Sequence, residues 1–94
     1  MHSVGPQVRA SHILVKTKEE AEKILGEIHS AEDFARLANE HSTCPSGGNG
    51  GDLGFFGRGR MVKAFEDAAF GIGVGEFTTP VQTQFGYHIV LRTA

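Results

Sequence analysis

Two histidines stand in nearly the same setting at opposite ends of the chain, His12 in Ser11-His12-Ile13-Leu14-Val15 and His88 in Tyr87-His88-Ile89-Val90-Leu91. An imidazole inside an aliphatic run costs free energy unless its ring nitrogens find partners. Singly, each reads first as a satisfied core histidine. In strands lying side by side the two rings would reach each other, titrate as a unit and fix each other's tautomer. Cys44, the only cysteine, opens a Gly-rich loop and is a candidate nucleophile with His12 or His88 as base, the arrangement of thiol hydrolases. Against that chemistry, no downstream residue is recognisable as an orienting group, and Pro45 with its glycines offers no helix N-terminus to activate the thiol. An inert or hydrogen-bonding thiol is the simpler reading. His41-x-x-Cys44 has metal-pair spacing, but two ligands do not close a zinc site, so no metal is expected.

The stretch from Gly47 to Gly59 holds seven of the thirteen glycines. It contains no Gly-x-x-x-x-Gly-Lys-Ser/Thr, and no Gly-x-Gly-x-x-Gly follows a clean strand and opens a helix, so a nucleotide site is not expected. The glycines suit tight turns and close backbone approaches beside a pocket. Leu53, Phe55, Phe56, Met61, Phe65, Phe77 and Phe85 form the apolar remainder. Most belong to a core, while Met61 and Phe65, four apart on one helix face, are also placed to line an apolar cup.

The elements that must position these residues follow from the hydrophobic pattern. Val8 to Lys16 alternates as a strand, with Val8, Ala10, His12 and Leu14 on one face. Thr17 with Glu20 is a capping-box signature, and Ala21, Ile24, Leu25 and Ile28 predict a helix to about His29. Ser30 with Asp33 starts a short second helix, with Phe34, Leu37 and Ala38 as its stripe, ending near His41. Thr43 to Gly59 reads as loop with one candidate brief strand. A third helix spans Met61 to Phe70, with Gly71 where a left-handed C-cap belongs. Phe77 to Val81 reads as a brief extended segment, Gln84-Phe85-Gly86 as a turn, and Tyr87 to Arg92 as the closing strand with His88 and Val90 on one face. The layout is α+β, with helices covering a small, mainly antiparallel sheet.

Composition bounds the function. Ninety-four residues make one small domain that buries about 60–65% of its unfolded surface, and one cysteine allows no internal disulfide. Nine Lys+Arg against eleven Asp+Glu, a formal charge of −2, supply no field for nucleic acid or anionic lipid. No apolar run approaches the roughly 18–20 residues of a membrane span. Met1 to Pro6 lacks the features of a secretory signal, so residues 1–7 read as a flexible tail before a domain over 8–94, and a cytoplasmic location is the default expectation.

Val8-Arg9-Ala10-Ser11-His12-Ile13-Leu14-Val15-Lys16, Gly51-Asp52-Leu53-Gly54-Phe55-Phe56, Met61-Val62-Lys63-Ala64-Phe65-Glu66 and Gln84-Phe85-Gly86-Tyr87-His88-Ile89, in this order, resemble the parvulin family of peptidyl-prolyl cis/trans isomerases over nearly the whole chain. The resemblance implies an α+β parvulin/FKBP-like fold, a four-stranded antiparallel sheet surrounded by three to four helices. It implies His12 and His88 as paired histidines beneath the site, with Thr83 hydrogen-bonding their network and Cys44 facing the substrate amide. Leu53, Met61 and Phe65 would form the cup for the proline ring and Phe85 its rim. The connection from Lys16 to Glu19 is short, where phosphate-directed members insert a long basic loop. Some relatives carry Ser in place of Gln84 and Asp in place of Cys44. The expected partners are proline-containing peptides and unfolded or partly folded clients, met by a monomer that needs no cofactor. Lys16 and Lys18 are candidates for a weak acidic preference before proline, though a solvated helix start is the simpler reading.

Turning an X-Pro bond means crossing a barrier of roughly 20 kcal/mol set by amide resonance, so the catalyst must bind the twisted form and needs no covalent step. Two other functions share these residues: a proline-peptide binding or chaperone module with negligible turnover, and the Cys-His thiol hydrolase.

Overall fold

A computed structural model describes residues 5–94. Four strands, β1 (Gln7–Val15), β2 (Asp52–Gly57), β3 (Val81–Thr83) and β4 (Gly86–Arg92), form one antiparallel sheet in the order β2-β1-β4-β3. Three α-helices, α1 (Lys18–Leu25), α2 (Ala31–His41) and α3 (Lys63–Phe70), and a 3-10 helix at Pro45–Asn49 complete the described chain. The expected four-stranded α+β architecture is present.

Both faces of the central strands are covered. Ile13, Val15, Ile89 and Leu91 pack against Ala21 and Ile24 of α1 and Phe34 and Leu37 of α2. On the opposite face Val8, Ala10, Val90 and Phe56 pack against Phe65 and Ala69 of α3. Strand alternation puts His12 in line with Val8 and Ala10, and His88 in line with Val90, so both histidines face α3.

The helix starts follow the capping residues. The Thr17 hydroxyl accepts the Glu20 N–H at 3.1 Å and the Ser30 hydroxyl accepts the Asp33 N–H at 3.1 Å. The Asp33 carboxylate reaches back to accept the His29 N–H at 3.0 Å. Helix α1 ends at Leu25, short of the expected His29, because the chain tightens at Gly26 and the Ile28 N–H donates to the Leu25 carbonyl. Ile28 is still buried, so the apolar period outlives the helix. Helix α2, expected to be short, is the longest of the three at 11 residues.

The brief strand for which the Gly-rich region was a candidate is present as the six-residue β2. It pairs with β1 through Val8↔Phe56 and Arg9↔Phe55, then shifts register before Ser11↔Asp52. The extra residue lies on β2, where Gly54 at φ +74° supplies the left-handed conformation of a bulge. Pairing along a central strand outweighs the poor strand propensity of glycine. Helix α3 begins at Lys63, not Met61, since Val62 is still extended and acts as N-cap. Gly71 caps it in the right-handed region at φ −86°, not the expected left-handed one. The extended segment near Phe77 is only an isolated bridge to Leu91, and the ladder of β3 starts after Pro80, which has no N–H to donate.

The Arg9 N–H donates to the Ala94 carbonyl, and the Arg9 carbonyl accepts the Thr93 and Ala94 N–H groups, so the start of β1 and the last residues lie together. Of the expected tail over residues 1–7, residues 1–4 lie outside the described residues and Gln7 already pairs with Gly57. No helix among the described residues is long and apolar enough to cross a membrane.

Candidate active site

Strand register brings the two histidines together. His12 pairs with Val90 and Leu14 with His88, so the two imidazoles are diagonal neighbours on one face. Their Nδ1 atoms lie 2.9 Å apart, with ring centroids at 5.1 Å and planes inclined by 21°. One nitrogen of the contact carries the proton and the other its lone pair, so the tautomers are coupled. His88 Nε2 lies 2.7 Å from the Thr83 hydroxyl oxygen, which also accepts the Phe85 N–H at 3.1 Å. Phe65 sets its ring across both imidazoles, at 5.5 Å and 87° to His12 and 5.3 Å and 74° to His88.

His12 is 5% exposed and His88 4%. Burial, with the nearby charge of His88, pushes His12 down to about 4, and burial lowers His88 as well. Both rings are therefore neutral at physiological pH. His12 Nε2 is buried without a hydrogen-bond partner. The pair sits under an apolar cavity of about 540 Å³ whose lining includes Leu53, Met61, Phe65, Cys44 and Phe85. Phe85, 60% exposed, stands at its mouth.

All eight residues singled out from the sequence converge here. Seven line the cavity, and Thr83 stands behind His88. Met61 and Phe65 meet in the cavity but do not share a helix face, because Met61 precedes α3.

The cavity's edges are held by residues that sequence reasoning did not select. Ser42 accepts the Leu14 N–H at 3.0 Å and the Cys44 N–H at 3.4 Å, while the Thr43 N–H donates to the Leu14 carbonyl at 2.8 Å, docking the thiol's segment onto β1. The Ser46 hydroxyl donates to Cys44 Sγ at 3.3 Å. Among the described residues neither imidazole is hydrogen-bonded to the thiol, so the nucleophile–base pair of a thiol hydrolase is not formed. Gly51, at φ +82°, accepts the His12 N–H at 2.9 Å and lies so close to the His12 carbonyl that any Cβ there would collide with it. Next to Phe65 on α3, the Glu66 carboxylate, 6% exposed, accepts the Gly59 N–H at 2.6 Å and an Arg58 N–H at 2.9 Å. The Gly59 N–H above all, helped by Arg58, holds that carboxyl below its usual range. This strap fixes the turn that carries Arg60 and Met61, and no local pattern announces it beyond one charged residue beside Phe65.

Leu14, Thr43, Pro45, Arg60 and Val62 complete the lining. Each neighbours a residue already singled out or shares its strand face, which is the signal that would have found them. A second cavity, about 420 Å³, opens beside Ile28, Phe34, Phe77 and Leu91, away from the histidines. The guanidinium at its edge, Arg92, is occupied by the Ile72 and Ala94 carbonyls. Among the described residues no cluster of three or more metal-ligating side chains occurs.

Comparison with known proteins gives the family of this fold. Residues 9–94 match the Rotamase family, described as a PPIC-type PPIase domain. The chain is 55% identical over 89 residues to foldase protein PrsA of a Geobacillus species, covering 94% of this chain and 32% of that protein. The chain thus spans about a third of the length of such curated relatives. Among solved structures, the peptidylprolyl isomerase PrsA of Bacillus anthracis is similar with a TM-score of 0.90 at 40% identity, over 95% of this chain and 42% of that one. The parvulin of Nitrosopumilus maritimus is similar with a TM-score of 0.83 at 45% identity, over 96% of this chain and 100% of that one. With its paired histidines and cavity in place, the chain belongs to the PPIC-type, or parvulin, family of peptidyl-prolyl cis/trans isomerases.

Proposed function

We propose that this domain accelerates cis/trans rotation about X-Pro bonds in unfolded or partly folded protein clients, by non-covalent stabilisation of the twisted amide. One observation carries the reading: the apolar cavity closed by Leu53, Met61 and Phe65 rests on two neutral histidines, without a nucleophile–base pair. Such a site grips a proline ring and lowers the polarity around the amide, which weakens C–N double-bond character in the twisted state. A ten-thousand-fold acceleration asks for about 5.5 kcal/mol of differential binding. The histidine pair keeps the cavity floor rigid and neutral and shuttles no proton. Thr83 fixes its orientation, Cys44 presents a weakly polar group to the substrate amide, and Phe85 closes over the bound segment. The domain acts as a monomer without cofactor.

The test is exchange spectroscopy by NMR on short X-Pro peptides with substoichiometric protein. Exchange cross-peaks that appear only with the protein are the expected result. Peptide shifts and broadening without exchange would replace this reading with a binding module.

A further inference from the structure

Three cations, Arg58, Arg60 and Lys63, stand on the segment that leads from β2 into α3, and their pairing differs. Arg58 bonds Glu66 at 2.9 Å, lies 3.7 Å from Asp67, and stacks over the Phe70 ring at 4.4 Å. Lys63 pairs with Asp67 at 3.1 Å. Arg60, exposed and lining the cavity, has no carboxylate or hydrogen-bond partner among the described residues. The lining contains no carboxylate at all, and Arg60 is its one permanently charged side chain. Neither Lys16 nor Lys18, the cations first suspected of reading an acidic residue, reaches that lining. The Gly59 N–H, bonded to the buried Glu66, fixes the turn immediately before Arg60.

We infer that Arg60 is the specificity-determining residue of this site and that it favours peptides with a carboxylate side chain adjacent to the proline. The inference rests on the prolyl isomerase reading above. With the ring seated against Met61 and Phe65, the side chain next to the proline comes to the cavity mouth, where Arg60 is the neighbouring charge. Apolar walls on one side strengthen its field relative to open solvent, while its exposure keeps the effect modest and salt-sensitive.

Peptide pairs that differ only by Glu against Gln, placed before or after the proline, isolate the charge. At low salt the Glu peptide is expected to be favoured about three- to five-fold in kcat/KM at one of the two positions, the size of an exposed ion pair. The preference should shrink toward parity near about 1 M salt. Arg60→Gln should bring the Glu:Gln ratio to parity and Arg60→Glu should turn it in favour of Gln, whereas Lys18→Gln should leave it as it is. Equal values for Glu and Gln at both positions, or a ratio that survives Arg60→Gln, would overturn the assignment. The same spectra give peptide affinities, so the ratio is readable even without turnover. Absence of turnover alone rejects the isomerase reading, and equal affinities reject the role of Arg60.

Discussion

Mild acid should loosen this fold through its histidine pair, well above the pH at which carboxylates protonate. His12 has an ordinary value of 6.5 and is held near 4 by burial and by His88. Its folded value lies below its unfolded one, so between these two values the unfolded chain binds the proton and the folded chain refuses it. Stability is therefore fully present above about pH 6.5, falls as the pH drops, and levels off below about pH 4. The whole drop is about 3 kcal/mol, of which about 2 kcal/mol is lost by about pH 5. His88 shifts in the same direction and adds to the loss. The lowered carboxyls Asp52 and Glu66 give up their share only at lower pH, since each is lost below its own unfolded value.

Against a total of about 5–15 kcal/mol this is a large fraction. With a urea slope of about 1 kcal/mol/M, the unfolding midpoint should fall by about 2 M between about pH 7.5 and 5. The chain has no Trp and one Tyr, so far-ultraviolet circular dichroism is the suitable signal. His12→Asn, which cannot take up the proton, should show a distinctly flatter pH dependence. A parent midpoint that stays within about 0.3 M across this range, or a variant as steep as the parent, would refute the reasoning. Ring titration of the folded parent by NMR is a direct check, and a His12 value near its ordinary one would sink it independently.

Phe65→Leu should keep the fold at a cost of about 1–2 kcal/mol yet reduce kcat/KM more than about ten-fold, while Phe65→Ala costs about 3–5 kcal/mol. Full activity in a folded Leu variant would move Phe65 from the cup to the core. Thr83→Ala leaves His88 Nε2 without its partner and should lower stability by about 1–3 kcal/mol, with Thr83→Ser restoring it; equal urea midpoints for all three chains would show that the contact carries nothing. Gly51→Ala and Gly54→Ala both force a side chain to positive φ, at about 1–3 kcal/mol each, but only at Gly51 does the new carbon meet the His12 carbonyl. Thermal midpoints should therefore fall further for Gly51→Ala, and a match between the two would contradict the close approach.

Local rules make the first two helix starts and the two central strands legible. Thr17 and Ser30 announced their helices because capping is settled within four residues, and the aliphatic alternation around His12 and His88 marked β1 and β4. The strand β2 is legible only as a brief strand within a loop, for a different reason. Phe55 and Phe56 alternate like a strand but sit among glycines, and only pairing with Val8 and Arg9, more than forty residues away, makes them one. The candidate site was legible in its apolar members and its histidines, whose burial demanded an explanation. Ser42 and Gly51 are hidden because their partners are main-chain groups, and the same holds for the Gly59 N–H that Glu66 accepts beside Arg58; main-chain groups leave no trace in a pattern of side chains.

The pairing of β1 with β4 has a consequence for how this domain comes into being. His12 and His88 are 76 residues apart, and each of these central strands completes the other's face. At about 5–20 residues per second, a ribosome needs about 4–15 s to pass from one histidine codon to the other. Over that interval β2 is the one strand with which β1 can pair, and Phe65 has half of its floor to rest on. The helices can form as they emerge, but the cavity is assembled last, when the final strand arrives to close the sheet.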